Sequence, residues 1–256
     1  MHLLSGALCT LAGSLVAVKA QQASDGLLEV GIVFPRSETY APRDHFPFVF
    51  ALQNAELAKG LGSAIKIQTF IRNESASGST FGHFHYDVDV NKANLTEGKP
   101  YFVYRHLNVD LPAGKYELFA DLFWDDGEKE GCGASSGSSI SVDFTIKDDG
   151  PQVDLVKATA TEEGCDAERA GIVIELDPTC TPQPSSSASP TSTANPCRVQ
   201  IESSVAESMA AELKEGLCKG ENPPEDCPES AVGRLAVAGL ATFAAAFGAV
   251  GFVLLG

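Results

Sequence analysis

A series of short β-rich segments, separated by turn residues, constrains the fold of this chain more than any other feature. Valine, isoleucine, phenylalanine, tyrosine and threonine dominate the segments, and glycine, proline, asparagine and aspartate separate them. We predict strands at residues 28–34, 46–52, 64–71, 83–90, 101–107, 115–124, 139–146 and 172–176. Because no amphipathic helix interrupts the series, the pattern predicts a β-sandwich over residues 21–177.

One local motif favours an immunoglobulin-like version of the sandwich. In the segment LPAGKYEL (111–118), a tight turn leads into a strand with Tyr116 near its start. In immunoglobulin-like domains, a tyrosine at such a corner hydrogen-bonds back to the preceding turn. An ordinary hairpin with a tyrosine in its strand is the alternative interpretation. The predicted fold class is mainly β, an immunoglobulin-like antiparallel β-sandwich.

The composition changes twice beyond the predicted sandwich. Residues 178–196 are rich in serine, threonine and proline, which indicates a linker or loop that cannot bury a core. Residues 197–230 then predict a small helical appendage, with a capping-box pattern at Ser204 and Glu207 and a stop at Gly216. Its apolar residues at helical spacing form one stripe: Val205, Met209 and Leu213.

Apolar segments at both ends of the chain indicate export and anchoring. Residues 1–20 have the apolar core and small-residue boundary of a secretory signal peptide. Residues 235–256 carry no charge and, as a helix, would extend about 33 Å, enough to cross a bilayer core. Since no lysine or arginine follows this tail, we expect residues 231–256 to be a GPI-attachment signal, with the lipid joining at Ser230. A retained transmembrane tail helix is the alternative.

Cysteines and glycosylation motifs fit the same compartment. Six cysteines remain after the signal segment, and an even number in an exported chain predicts three disulfide bonds. Attachment of the lipid at Ser230 rather than Gly220 retains this even number. The sequons at Asn73 and Asn94 predict N-glycosylation. The cysteines expected to pair are Cys132, Cys165, Cys180, Cys197, Cys218 and Cys227.

The charge of the chain excludes some classes of partner. Its formal net charge at pH 7 is −16, which argues against binding to nucleic acid or to anionic membrane surfaces. A strongly acidic surface repels copies of itself, so we expect a monomer whose membrane contact is the GPI lipid.

The segment HFHYDVDV (83–90) is the most suggestive of metal chemistry. On a strand, His83, His85 and Asp87 share one face, and histidines two residues apart lie about 6.6 Å from each other. This spacing can place two imidazoles on one metal ion, with His45 or His106 as a further ligand. The same alternation is typical of a half-exposed strand, and this interpretation is the one we favour.

Other motifs carry weaker indications of chemistry. Asp87 and Asp89 match part of a calcium loop, but Lys92 replaces its glycine and no helices flank it. The GASSG segment (133–137) matches a nucleophile pattern but lacks the strand-turn-helix context, so we expect a loop. We therefore predict no cofactor and no catalytic residue.

Aromatic residues offer a binding alternative. Tyr40, Tyr101, Tyr104 and Trp124 are candidates for stacking on sugar rings. We expect most other aromatic residues of the strands to lie in the core, namely Phe46, Phe48, Phe50 and Phe119.

Three stretches of the sequence are distinctive: LEVGIVFPRSETYAPRDHFPFVFALQNAELA (28–58), the YFVYRHL strand with Trp124 after it, and NPCRVQIESSVAESMAAEL (195–213). They resemble a family of fungal secreted proteins that are usually predicted to carry a GPI tail and are labelled as a domain of unknown function. The resemblance covers residues 27–217 and implies a β-rich ectodomain at a fungal cell surface or wall. It implies no catalytic residues.

These features predict a non-enzymatic, glycosylated, GPI-anchored protein at the outer cell surface or wall. It would act as a structural or binding module, with wall polysaccharide as a candidate partner. Two alternatives remain: a metal-binding ectodomain built on the His-x-His strand, and an enzyme that acts on wall polysaccharide.

Overall fold

The computed structural model of this protein describes residues 27–61, 64–74, 80–108, 110–125, 135–174, 194–220 and 223–227. Within these ranges, alternating apolar residues form the elements. The strands are β1 (Leu28–Phe34), β2 (Thr39–Tyr40), β3 (Pro47–Gln53), β4 (Ala64–Asn73), β5 (Thr80–Asp89), β6 (Tyr101–His106), β7 (Gly114–Asp125), β8 (Ser135–Ile146) and β9 (Gly171–Ile174). The helices are α1 (Leu155–Thr159), α2 (Ala167–Ala170) and α3 (Ser203–Cys218), with 3-10 helices at Ala55–Gly60 and Pro196–Arg198.

The strands form two sheets that pack face to face. One sheet has four strands in the order β6-β3-β1-β9, and the other has five in the order β2-β8-β7-β4-β5. Strand β2 runs parallel to β8, and the other neighbouring strands are antiparallel. The predicted immunoglobulin-like antiparallel β-sandwich is confirmed. All the predicted strands are present, and β2 was missed because two residues are too few for a periodic pattern.

The core between the sheets is built largely from aliphatic and phenylalanine side chains. The stacked rings of Phe46 and Phe144 join the two sheets, with their centroids 5.2 Å apart. Tyr40 lies with its ring 5.1 Å from that of Phe34 and is almost fully buried. Burying this many apolar side chains is the main favourable term in folding.

A layer of helices covers the outer face of the four-stranded sheet, and every residue of β1 and β3 is therefore buried. The close packing requires Gly31, since a Cβ there would lie 2.5 Å from the Pro196 side chain. Glu29 is also buried, and it accepts hydrogen bonds from Gln53 Nε2 at 3.0 Å and from the Asn195 amide at 2.9 Å. The outer face of the five-stranded sheet is the one that solvent reaches.

Helix α3 is the appendage predicted from the sequence, and its apolar stripe is confirmed in part. Met209 is buried, and Val205 packs against the core. The predicted capping box is wrong, because the helix begins at Ser203, two residues earlier than an N-cap at Ser204 would require, and no side chain caps it. Ser204 therefore lies inside the first turn. The predicted stop at Gly216 is also wrong, since the helix continues to Cys218.

Two disulfide bonds fasten this outer layer. Cys165–Cys197 joins the loop before α2 to the second 3-10 helix, and Cys218–Cys227 joins the end of α3 to the segment that follows it. These four cysteines are therefore paired as predicted. Cys132 and Cys180 lie outside the described residues.

Several predicted segments lie outside the described residues. They include the signal peptide, the GPI-attachment position Ser230, the C-terminal tail helix and residues 178–193 of the Ser/Thr/Pro-rich segment. The described end of that segment packs on the sandwich, because Ala194 and Pro196 are buried. The helices in the described parts of the chain are all too short or too polar to span a membrane.

Candidate functional site

The three predicted metal ligands lie on the solvent-facing side of β5. His83, His85 and Asp87 are all exposed. His85 and Asp87 contact each other, with 3.0 Å between Nε2 and Oδ1. The His83 ring instead stacks on Phe70 of the neighbouring strand, with centroids 4.6 Å apart and planes inclined by 6°. His83, which would be the second histidine ligand beside His85, therefore contacts an aromatic ring instead.

The further ligands proposed from the sequence do not join this strand. His45 and His106 contact each other at the end of β6, in the other sheet, with ring centroids 5.4 Å apart. Asp89 pairs with Lys92 at 2.7 Å, and the hydrogen bond from Lys92 lowers the pKa of this carboxyl. Within the described ranges, no three His, Cys, Asp or Glu side chains are grouped to hold a metal ion. The geometry matches the favoured interpretation of a solvent-facing strand.

The aromatic candidates for sugar binding divide into two groups. Tyr40 and Trp124 are buried, so their assignment as exposed stacking residues is wrong. Tyr40 packs on Phe34 and Phe46, while Trp124 points inward from β7. Tyr101 and Tyr104 remain half-exposed on the edge strand β6.

A groove of 340 Å³ lies between β6 and the C-terminal half of α3. It forms where α3 passes over the edge strand, beyond the buried contact of Met209. Cavities of this size accept small ligands or part of a larger one. The lining residues are Tyr104, Arg105 and His106 from β6 and Glu212, Leu213, Glu215, Gly216 and Lys219 from the α3 side.

Burial shifts the pKa values of two groups on the β6 side of the groove. It raises the pKa of the Tyr104 phenol, so this hydroxyl stays protonated and can donate a hydrogen bond. Burial also lowers the pKa of His106, and the neighbouring His45 and Arg105 add to this shift. The neutral imidazole is therefore favoured, with one nitrogen able to accept a hydrogen bond.

The opposite wall carries charged groups that can bind hydroxyls. Lys219 forms an ion pair with Glu215. Glu212 forms no ion pair with the described residues and faces Tyr104 and His106 closely enough to influence the pKa of both. Arg105 holds its guanidinium 3.6 Å above the centre of the Tyr86 ring. The groove combines aromatic rings with hydrogen-bond donors and acceptors.

Sequence reasoning identified Tyr104 but missed the contribution of α3. The apolar stripe of the helix predicts only the face that packs on the core. Glu212 and Glu215 lie beside that stripe and look like an ordinary solvated helix face. Only the crossing of α3 over β6 brings them opposite Tyr104.

The two glycosylation sequons lie in different surroundings. Asn94 is exposed in the turn region between β5 and β6. Asn73 is only 5% exposed at the end of β4. Its amide lies beside Gly114, whose added Cβ would be 3.2 Å from Nδ2, and it hydrogen-bonds with Tyr116.

Comparison with known proteins gives one family match. A family model described as a domain of unknown function (DUF7136) matches residues 23–227. None of the curated proteins matches the chain. Among solved structures, the CARDB domain of the PF1109 protein from Pyrococcus furiosus, in complex with di-metal ions, is similar over 50% of this chain and 97% of that one. The sequence identity is 9% and the TM-score is 0.29.

Proposed function

The chain belongs to the DUF7136 family, and we propose that it is a non-enzymatic module that binds cell-wall polysaccharide at the outer surface of a fungal cell. The signal peptide at residues 1–20 would direct it to the secretory pathway. A GPI lipid at Ser230 would then hold it at the membrane or wall.

The groove between β6 and α3 is the observation that carries this proposal. A sugar ring presents an apolar face and a rim of hydroxyls. Tyr104 and His106 offer aromatic surface for the apolar face. Glu212 can accept hydrogen bonds from the hydroxyls, and Lys219 can donate to them.

The same groove is poorly suited to a strongly charged ligand. Its cations Arg105 and Lys219 are balanced by Glu212 and Glu215. A polyanion or polycation would meet charge of its own sign on one wall, which is unfavourable. A neutral polymer rich in hydroxyls avoids this repulsion.

Features outside the groove support an extracellular location. Disulfides such as Cys165–Cys197 and Cys218–Cys227 persist in oxidising compartments. The exposed sequon at Asn94 and the net charge of −16 suit a glycosylated surface protein.

Binding is tested with the full chain expressed through a secretory host and mixed with insoluble β-glucan or chitin. We expect binding that survives a chelator. Replacing Tyr104 with Ala should weaken it about ten-fold, the loss expected for one aromatic contact of about 1.4 kcal/mol. Glu212→Gln should weaken it less, and Glu207→Gln, an exposed change outside the groove on the same helix, is the control.

If the protein binds neither polymer, the polysaccharide role is contradicted. Equal binding by Tyr104→Ala and wild type would exclude the groove as the binding site.

The GPI anchor is tested in a separate experiment. Phosphatidylinositol-specific phospholipase should release the protein from the surface of the expressing cells, and retention of an intact 231–256 tail in the mature protein would disprove GPI attachment.

A further inference from the structure

On the outer face of the five-stranded sheet, one aromatic side chain has no packing layer above it among the described residues. Phe123 of β7 is 37% exposed. Among the described residues, it is the one large hydrophobic side chain that is exposed. The layer on the outer face of the other sheet includes the two 3-10 helices, which contact β1, and α3, which lies beside β6. Phe123 is thus on the opposite side of the sandwich from the β6–α3 groove.

The Phe123 ring lies across a glycine. Gly137 of β8 is its partner in the antiparallel pairing. A Cβ on Gly137 would lie 3.1 Å from Cδ1 and 3.4 Å from Cε1 of the ring. The missing side chain leaves room for the Phe123 ring at the surface of β8, while 37% of the residue stays exposed.

Hydrogen-bonding groups surround this ring at the neighbouring register positions. Lys66 of β4 pairs with Phe123. Asp121 is two residues away on the same face of β7 and accepts a hydrogen bond of 2.6 Å from the Ser139 hydroxyl. Gln68 of β4 pairs with Asp121. An ammonium, a carboxylate, a hydroxyl and an amide thus lie around one aromatic surface.

The charges on this face largely cancel. Lys66 and Asp121, which form no ion pair with the described residues, contribute one charge of each sign. Such a surface complements a neutral ligand better than a polyanion or polycation. Most of the other side chains there that can carry charge are engaged with one another: Arg72 with Glu117, Arg169 with Asp143 and Glu117, His85 with Asp87, and Lys92 with Asp89. Lys115, near the start of β7 and away from the ring, is exposed on the same face and forms no ion pair with the described residues.

We infer that Phe123, resting on Gly137 and flanked by Lys66 and Asp121, is a stacking platform for the ring face of a neutral pyranose polymer. The ring face of a pyranose carries axial C–H groups that pack on an aromatic plane, while its hydroxyls point sideways toward the flanking polar groups. The class of ligand rests on the proposed function. The site itself rests on the Phe123–Gly137 geometry and is independent of the groove.

A platform on one side and a groove on the other make the protein divalent. Because the two sites face in opposite directions, they would engage two different polymer chains, and binding at both raises the apparent affinity beyond either contact alone. Removing either site should therefore leave measurable residual binding.

The test compares the full chain with Phe123→Ala, Phe123→Tyr and Tyr104→Ala on insoluble neutral β-glucan. We expect Phe123→Ala to weaken binding about ten-fold and Phe123→Tyr to retain it, because tyrosine keeps the ring. Thr145→Ala, on the same sheet face but away from the ring, is the matched control. Since Phe123 is exposed, an unchanged Tm verifies that the Ala variant is folded.

Gly137→Ala supplies a second variant that keeps the ring but lifts it from the strand, and it should weaken binding less than Phe123→Ala. Wild-type binding by Phe123→Ala together with loss in Tyr104→Ala would overturn the platform and leave the proposed function standing. No binding by the wild type would overturn both. Preference for a carboxymethylated or amino-bearing polymer over the neutral one would overturn the ligand class.

Discussion

The hydroxyl of Tyr116 donates a hydrogen bond of 2.7 Å to the carbonyl oxygen of Pro112, four residues earlier in the chain. Its ring is fully buried and stacks on Phe144 with centroids 5.5 Å apart. This contact is the tyrosine corner expected from the segment LPAGKYEL, and that prediction is confirmed. It ties the turn before β7 to the core of the five-stranded sheet.

Replacing Tyr116 with Phe should lower the free energy of unfolding by about 1–2 kcal/mol, because the ring contact survives while the Pro112 carbonyl loses its donor. Urea denaturation measures the change, with an unchanged m-value expected. Tyr104→Phe is the control, since the Tyr104 hydroxyl makes no hydrogen bond to the described residues, and it should cost less than about 0.5 kcal/mol. Equal losses in the two variants would contradict a special role for the corner.

The two described disulfides should contribute unequally to stability. Cys165–Cys197 spans 32 residues and Cys218–Cys227 spans 9. Chain-entropy arguments give about 4 kcal/mol for the longer loop and about 2.5 kcal/mol for the shorter one. Paired Cys-to-Ser variants, compared by urea denaturation, should follow this order. A larger loss on removing Cys218–Cys227 would show that native contacts of α3, rather than loop entropy, determine its contribution.

The strand pattern could be predicted because alternating β-branched and aromatic residues specify both strands and sheet faces. The sequence did not correctly predict which aromatic residues of β7 face the core and which face solvent. Trp124 was expected outside and Phe119 inside, whereas Trp124 is buried and Phe119 is half-buried on the open face. A step of one residue reverses the side of a sheet, and phenylalanine and tryptophan suit both sides. Only the packing of the two sheets determines which face of β7 is buried, and for the same reason the sequence did not identify Phe123 as an exposed aromatic residue.

Asn94 should carry an N-glycan and Asn73 should not. Asn94 is exposed, whereas the side chain of Asn73 is buried beside Gly114 and Tyr116, where an attached sugar would displace the end of β4. Enzymatic removal of N-glycans from the protein expressed through a secretory host should therefore reduce its mass by one glycan. Asn94→Gln should abolish that shift, and Asn73→Gln should leave it intact. Two glycans on the wild type would contradict this assignment.

The pH dependence of stability should include a contribution from His106. Burial, with His45 and Arg105, lowers its pKa below the ordinary value of 6.5. Between the folded and unfolded pKa values, the unfolded chain binds more protons, so the native state is progressively destabilised as pH falls below about 6.5. Thermal unfolding at pH 7.5, 6.5 and 5.5 should show a smaller loss of Tm in His106→Gln than in wild type. His83→Gln, at an exposed position, is the control, and an identical pH slope in wild type and His106→Gln would contradict the prediction.

Zinc and calcium should leave the stability of the protein unchanged. A metal present at 100 times its Kd would stabilise the native state by about 2.7 kcal/mol, which corresponds to several degrees of Tm. On β5, however, His83 is stacked on Phe70 and His85 is paired with Asp87, so binding would first have to break both contacts. We expect no rise in Tm with about 100 μM of either ion, and none in His83→Ala/His85→Ala. A rise in the wild type that the double variant loses would establish this strand as a metal site.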